Sequence, residues 1–231
     1  KDKIVLLTEL KEVLSLNKLP RKVECYDISN LSGEFVVAGM CVMQNAIIKK
    51  NLSRRFKIKT VLGQDDPRCM EEVIERRLKH SLNGKSSGFG NLPDVIFADG
   101  GITQIRAIKR AIQKYNLQIP VFGMVKDDKH STKNLIDETR KIIQLSEEQM
   151  NFVTRMQDEV HNVAIEYNRK LREQEATKSK LDNIPGIGEK KKQELLKKFG
   201  SIEGIKKAEL EEITKIKGVN GDLARIIKEF L

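Results

Sequence analysis

A chain of 231 residues with 39% hydrophobic content can bury the core of one or two domains. Its net charge of +10, with no Trp and only 5% aromatic residues, suits a phosphate-rich partner gripped by its backbone rather than by base stacking. No run approaches the roughly 18 apolar residues of a membrane span. Cys25, Cys41 and Cys69 are odd in number, widely spaced and free of CxxC pairs, which excludes a disulfide framework and a structural zinc site and predicts a reducing, cytoplasmic setting.

Residues 4–16 place apolar side chains at helical spacing, and Leu19-Pro20 stops them. The start is charged and lacks the cleavage pattern of a secretory leader, and without an initiator Met the chain reads as a fragment. Residues 23–29 read as a buried strand carrying one carboxylate, Asp27. A turn at 30–34 leads to a central strand over 35–43, and residues 47–58 read as a third, more basic strand, completing an antiparallel meander. Asp65-Asp66-Pro67 opens a helix over 68–81, and NGKSSGFGN (83–91) is a loop.

DVIFA (94–98) is a continuous apolar run, expected of a strand buried on both faces and ended by Asp99-Gly100-Gly101. A helix over 102–115 and a fifth strand over 120–125 make a parallel crossover. Residues 126–140 read as a polar loop, and 141–145 as a possible short strand. From 147 to 175 one long helix is predicted, because Phe152, Met156, Val160, Val163, Tyr167 and Leu171 share one face. His161 lies at the flank of that stripe, and residues 169–180, highly charged, read as a hinge.

The tail repeats itself. Ile184-Pro185-Gly186-Ile187-Gly188 precedes an amphipathic helix, and 32 residues later Ile216-Lys217-Gly218-Val219-Asn220 precedes another. Glycines two apart permit a sharp turn whose backbone N–H groups, at a positive helix end, suit a phosphate oxygen. Gly186, Gly188 and Gly218 are therefore candidate DNA contacts, with Lys190, Lys191 and Lys192 adding charge. Asn220, in place of a second glycine, is expected to tolerate a left-handed backbone. The tail resembles the tandem helix–hairpin–helix domain of DNA repair proteins. The predicted division is 1–175 and 176–231.

Asp27 and Asp99, at the ends of neighbouring buried strands, are expected to converge at one end of a sheet. Hard divalent cations take such oxygen ligands, and a cation there activates water and polarises a phosphodiester. The predicted fold is α/β: a mixed five-stranded sheet with flanking helices, ribonuclease H-like, followed by a small all-α module. ECYDISN, DVIFADGG, KDDKHST and QDEVHNVAI, followed by paired hairpins, resemble the C-terminal half of the UvrC family, the nuclease subunits of bacterial nucleotide excision repair. The resemblance covers essentially the whole chain. It implies an active site of Asp27, Asp99 and His161, dependence on Mg²⁺ or Mn²⁺, and a cut on the 5′ side of a lesion. It also implies damaged duplex DNA and UvrB as partners, with UvrA upstream. Imidazole suits Mn²⁺ better than Mg²⁺, so His161 is read as either a ligand or the group that positions a water. Lys126, at the same sheet end, and His130, in the polar loop, are candidate substrate contacts. Asp158, one turn before His161, is a candidate for orienting it. The competing reading is a non-catalytic DNA-binding scaffold that recruits repair partners.

Overall fold

The computed structural model describes residues 2–30, 35–61, 65–83, 90–126 and 133–231. Most of the turn expected at 30–34, most of the loop expected at 83–91 and His130 lie outside the described residues. The chain divides into two compact units, Lys1–Asn168 and Arg169–Leu231.

In the first unit, helix α1 (Lys3–Val13) is capped by Asp2, whose carboxylate accepts the Ile4 N–H at 3.0 Å. Strand β1 (Lys22–Ser29) pairs antiparallel with β2 (Val37–Gln44) along its whole length. The third strand of the expected meander is broken. Ile47–Ile48 (β3) and Arg54–Lys57 (β4) both pair with β2, but a 3₁₀ turn over Lys50–Leu52 separates them. Lys-Lys-Asn at that point favours a turn over a ladder. Helix α2 (Asp66–Leu82) starts as predicted, with Asp65 accepting the Arg68 N–H at 3.1 Å.

Strand β5 (Val95–Asp99) runs parallel to β1, and helix α3 (Ile102–Lys114) carries the chain to β6 (Val121–Lys126), parallel to β5. The region read as a polar loop instead holds a strand, β7 (Lys133–Ile136), antiparallel to β6. Only Leu135 and Ile136 there are apolar, too few for alternation to show in the sequence. A turn follows, in which Asp137 Oδ1 accepts the Thr139 and Lys141 N–H groups at 2.8 and 3.0 Å. It delivers β8 (Ile142–Ile143), the short strand expected near 141–145. The sheet therefore has eight strands rather than five among the described residues, ordered β3-β2-β1-β5-β6-β7-β8 with β4 also on β2.

The sheet is buried on both faces. Val23, Cys25, Val95, Phe97, Phe122 and Met124 join α1 and the next helix, α4 (Glu147–Asp182), in one core. Tyr26, Ile96, Ala98 and Val121 join α2 and α3 in the other. Burial on both faces is why β5 is apolar without alternation over Val95–Ala98, and why β1 is buried at every position from Val23 to Asp27. Full burial of a side chain such as Phe97 contributes about 1.5–3 kcal/mol. One charged cluster sits inside this unit. Arg77 Nη2 lies 2.8 Å from Glu24 Oε1, both nearly inaccessible, and Tyr26 donates to Glu24 at 2.7 Å.

The second unit has a core of its own, including Leu181, Ile184, Leu195, Ile205, Ile213 and Ile227. Its helices are α5 (Glu189–Phe199), α6 (Ile202–Lys207), α7 (Leu210–Thr214) and α8 (Gly221–Phe230). The stretch read as a hinge, 169–180, is helical and belongs to α4.

Candidate active site

The β1–β5 register pairs Tyr26 with Ala98, so Asp27 and Asp99 come next, side by side at the C-terminal ends of parallel strands. Alternation along each strand puts Asp27 on the face of Val23 and Cys25, and Asp99 on the face of Val95 and Phe97. That is the face covered by α4. Gly39 faces Asp27 across the β1–β2 ladder. A Cβ at Gly39 would stand 2.8 Å from Ala164 N and 2.9 Å from Val160 O, so the missing side chain is what lets α4 close on the sheet.

Two side chains of α4, four residues apart, then reach the two carboxylates. His161 Nδ1 lies 2.9 Å from Asp27 Oδ2. Gln157 Nε2 donates to Asp99 Oδ1 at 2.7 Å. One ligand atom from each of Asp27, Asp99 and His161 falls within 4.8 Å of the others. Asp27 is buried, whereas the His161 side chain is 57% exposed, so the cluster is closed beneath and open above.

Burial, and then the negative charge of Asp99, push the Asp27 carboxyl from 3.8 up to about 6, against the opposing pull of its bond to His161. A divalent cation relieves that crowding. Two carboxylates and an imidazole are a hard-to-borderline donor set, which fits Mg²⁺ or Mn²⁺. The nearby Cys25 thiol is pushed well above its ordinary range by burial, so it stays protonated and offers no thiolate for a softer metal.

Lys126 ends β6 on the same face as Phe122 and Met124, and is exposed at the acidic end of the sheet. Asp158 is exposed on α4. Gln157, beside it in sequence and buried, is the residue that touches Asp99, and the sequence reading gave it no role. Its spacing of four from His161 was the available signal.

In the second unit, Gly186 and Gly218 have φ of +83° and +84°, conformations that favour glycine. Gly188 and Asn220 are both extended, at φ −94° and −92°, and each caps the helix that follows. Asn220 is therefore not left-handed as expected. Its Oδ1 accepts the Leu223 N–H at 2.8 Å, using a donor that the Gly188 helix start leaves without any side-chain cap. Asp222 stands 32 residues on from Lys190, so the repeat also reverses a charge. Lys190 is exposed. Lys192, expected to face phosphate, is buried and ion-paired with Asp182 and with Glu189. Lys191 donates to the Gly186 carbonyl at 3.1 Å.

A mixed sheet with two carboxylates at adjacent strand ends, a histidine over them and an appended pair of hairpins defines a ribonuclease H-like nuclease domain with a helix–hairpin–helix module. The chain belongs to the UvrC RNAse H endonuclease domain family, whose model matches residues 11–165. A second family model, SAM-like Helix-hairpin-helix tandem, matches residues 178–231. The UvrABC system protein C of Acetivibrio thermocellus is 44% identical over 240 residues, covering 97% of this chain and 38% of that protein. The protein of the same name in Clostridioides difficile is 44% identical over 225 residues, covering 97% of this chain and 36% of that one. The chain thus spans under two-fifths of these curated relatives. Among solved structures, Ciona intestinalis Endonuclease V in complex with an inosine-containing DNA is 17% identical. It has a TM-score of 0.35 and covers 52% of this chain and 55% of that one. No helix among the described residues is long and apolar enough to cross a membrane.

Proposed function

We propose that the chain is the part of an excision-repair nuclease that makes the incision on the 5′ side of a lesion in duplex DNA, working with UvrB after UvrA has acted, in the cytoplasm. The observation that carries this reading is the convergence of Asp27, Asp99 and His161, from three distant segments, within 4.8 Å. These residues would hold Mg²⁺ or Mn²⁺, which supplies polarisation of the phosphodiester and a lowered pKa for the attacking water. Asp27 holds the imidazole of His161 by Nδ1, which keeps the proton there and leaves Nε2 as the acceptor nitrogen. In that tautomer Nε2 carries the one free lone pair of the ring, and through it His161 would join Asp27 and Asp99 as a ligand. Gln157 steadies Asp99. Lys126 meets a phosphate beside the scissile bond, and the Gly186–Gly188 turn with Lys190 grips the backbone elsewhere. Residues 1–175 form the nuclease and 176–231 the DNA-binding module.

The test uses the full-length protein in the reconstituted repair reaction on a duplex with one lesion. Asp27→Asn and Asp99→Asn abolish 5′ incision and leave the 3′ incision intact. Retained 5′ incision in either variant would favour the scaffold reading and sink the nuclease assignment.

A further inference from the structure

Gln157 is out of character with its surroundings. It is 5% exposed on the face of α4 that also carries Val153, Met156 and Val160, each buried and apolar. Packing alone favours an aliphatic side chain there. Its Nε2 is used, on Asp99 Oδ1 at 2.7 Å, but its Oε1 is buried and has no hydrogen-bond partner among the described residues. Leaving a buried amide oxygen unbonded costs free energy that Met or Leu would avoid, and such exceptions in native proteins call for an explanation.

We propose that Gln157 is a positioning residue of the metal site. Its NH₂ fixes the plane of the Asp99 carboxylate toward the cation that Asp27, Asp99 and His161 would hold, and the unbonded Oε1 is the cost of placing that donor there. The inference rests on the metal-site reading of those three residues. A carboxylate offers about four lone-pair sites, so one donated hydrogen bond leaves capacity for metal. The four-residue spacing makes α4 a two-point clamp, with His161 on one carboxylate and Gln157 on the other.

The deciding variant is Gln157→Met, which keeps length and removes both polar ends, with Gln157→Leu as a second. Mn²⁺ binding is measured by electron paramagnetic resonance of the free ion, and metal-free thermal unfolding is followed alongside. The positioning role predicts a Kd for Mn²⁺ raised about 10-fold or more, with a metal-free Tm equal to or above wild type. An unchanged Kd with a lowered Tm means that Gln157 is merely structural and overturns the proposal. An unchanged Kd at an unchanged Tm overturns it as well. The parent reading has its own control. Wild-type protein that binds no Mn²⁺, or binds it as well as Asp99→Asn does, overturns the metal site itself, whereas wild-type binding that Gln157→Met leaves intact overturns only the role of Gln157.

Discussion

Replacing Gly39 by Ala tests how the site is held together without touching any group that meets substrate. The added methyl lands 2.8 Å from Ala164 N and 2.9 Å from Val160 O. Both are backbone atoms of α4, so no side chain can rotate away. Ordinary contact needs roughly 3.5 Å, so the helix and sheet must part by about 0.7 Å. His161 lies between those two residues in sequence, and its bond to Asp27 starts at 2.9 Å. Parting of that size stretches the distance to about 3.6 Å, past the reach of a hydrogen bond. Overpacking of this kind costs about 1–3 kcal/mol. For a unit of this size each kcal/mol moves Tm by about 2–4 °C, so calorimetry should show a fall of about 2–12 °C. The Kd for Mn²⁺ should rise in parallel. A Gly39→Ala protein with wild-type Tm and wild-type Mn²⁺ affinity would refute the claim that this glycine sets the height of α4 over the carboxylates.

The raised pKa of Asp27 gives a pH signature in metal-free buffer. With a folded value of about 6 against an ordinary 3.8, its proton is held more tightly in the folded state. The resulting stability is fully present below pH 3.8 and is lost as pH rises through 6. The span is about 3 kcal/mol. About half of it, roughly 1.4 kcal/mol, falls between pH 5 and 8, so urea midpoints at those two values should show that loss in wild type and little of it in Asp27→Asn. In the buried cluster, Arg77→Met strands Glu24 and should cost about 3–5 kcal/mol by chemical denaturation, most of it recovered in a Glu24→Leu, Arg77→Met double variant. The two hairpins should differ in a DNA-binding titration. Gly188→Asp caps α5 but sets a negative charge at the phosphate site, and should lower both affinity and the salt slope, by about 0.9 per lost contact. Asn220→Asp, where the helix start is already capped, should change affinity less than twofold; equal losses in both would show that the hairpins act alike.

The sheet core was legible because its residues leave little choice. VECYDIS and DVIFAD are strand-length segments rich in apolar residues, with Asp27 and Asp99 following Cys25-Tyr26 and Phe97-Ala98, and the stripe of Phe152, Met156 and Val160 has helical spacing. Asp27, Asp99 and His161 followed from those elements plus a family resemblance. What escaped depends on neighbours. Strand β7 has two apolar residues and needs β6 beside it. Gln157 looks like any polar helix residue until Asp99 stands 2.7 Å away. Lys192 reads as surface charge, yet Asp182, ten residues earlier, draws it inward. Asn220 was assigned the wrong backbone because the two glycines of the hairpin do different jobs. The first needs positive φ, while the second sits in an extended conformation open to any residue.

The bond between His161 and Asp27 joins residues 134 apart in the chain. A ribosome adding about 5–20 residues per second exposes Asp27 and Asp99 several seconds before it has made the helix that bears His161. Until then neither carboxylate has its partner from α4, and one face of β1 and β5 lacks Phe152, Met156 and Val160. On the proposed reading, the metal site is therefore complete only once the last helix of the unit has been made. An unfinished chain carries the two acids without the imidazole and amide that α4 brings to them.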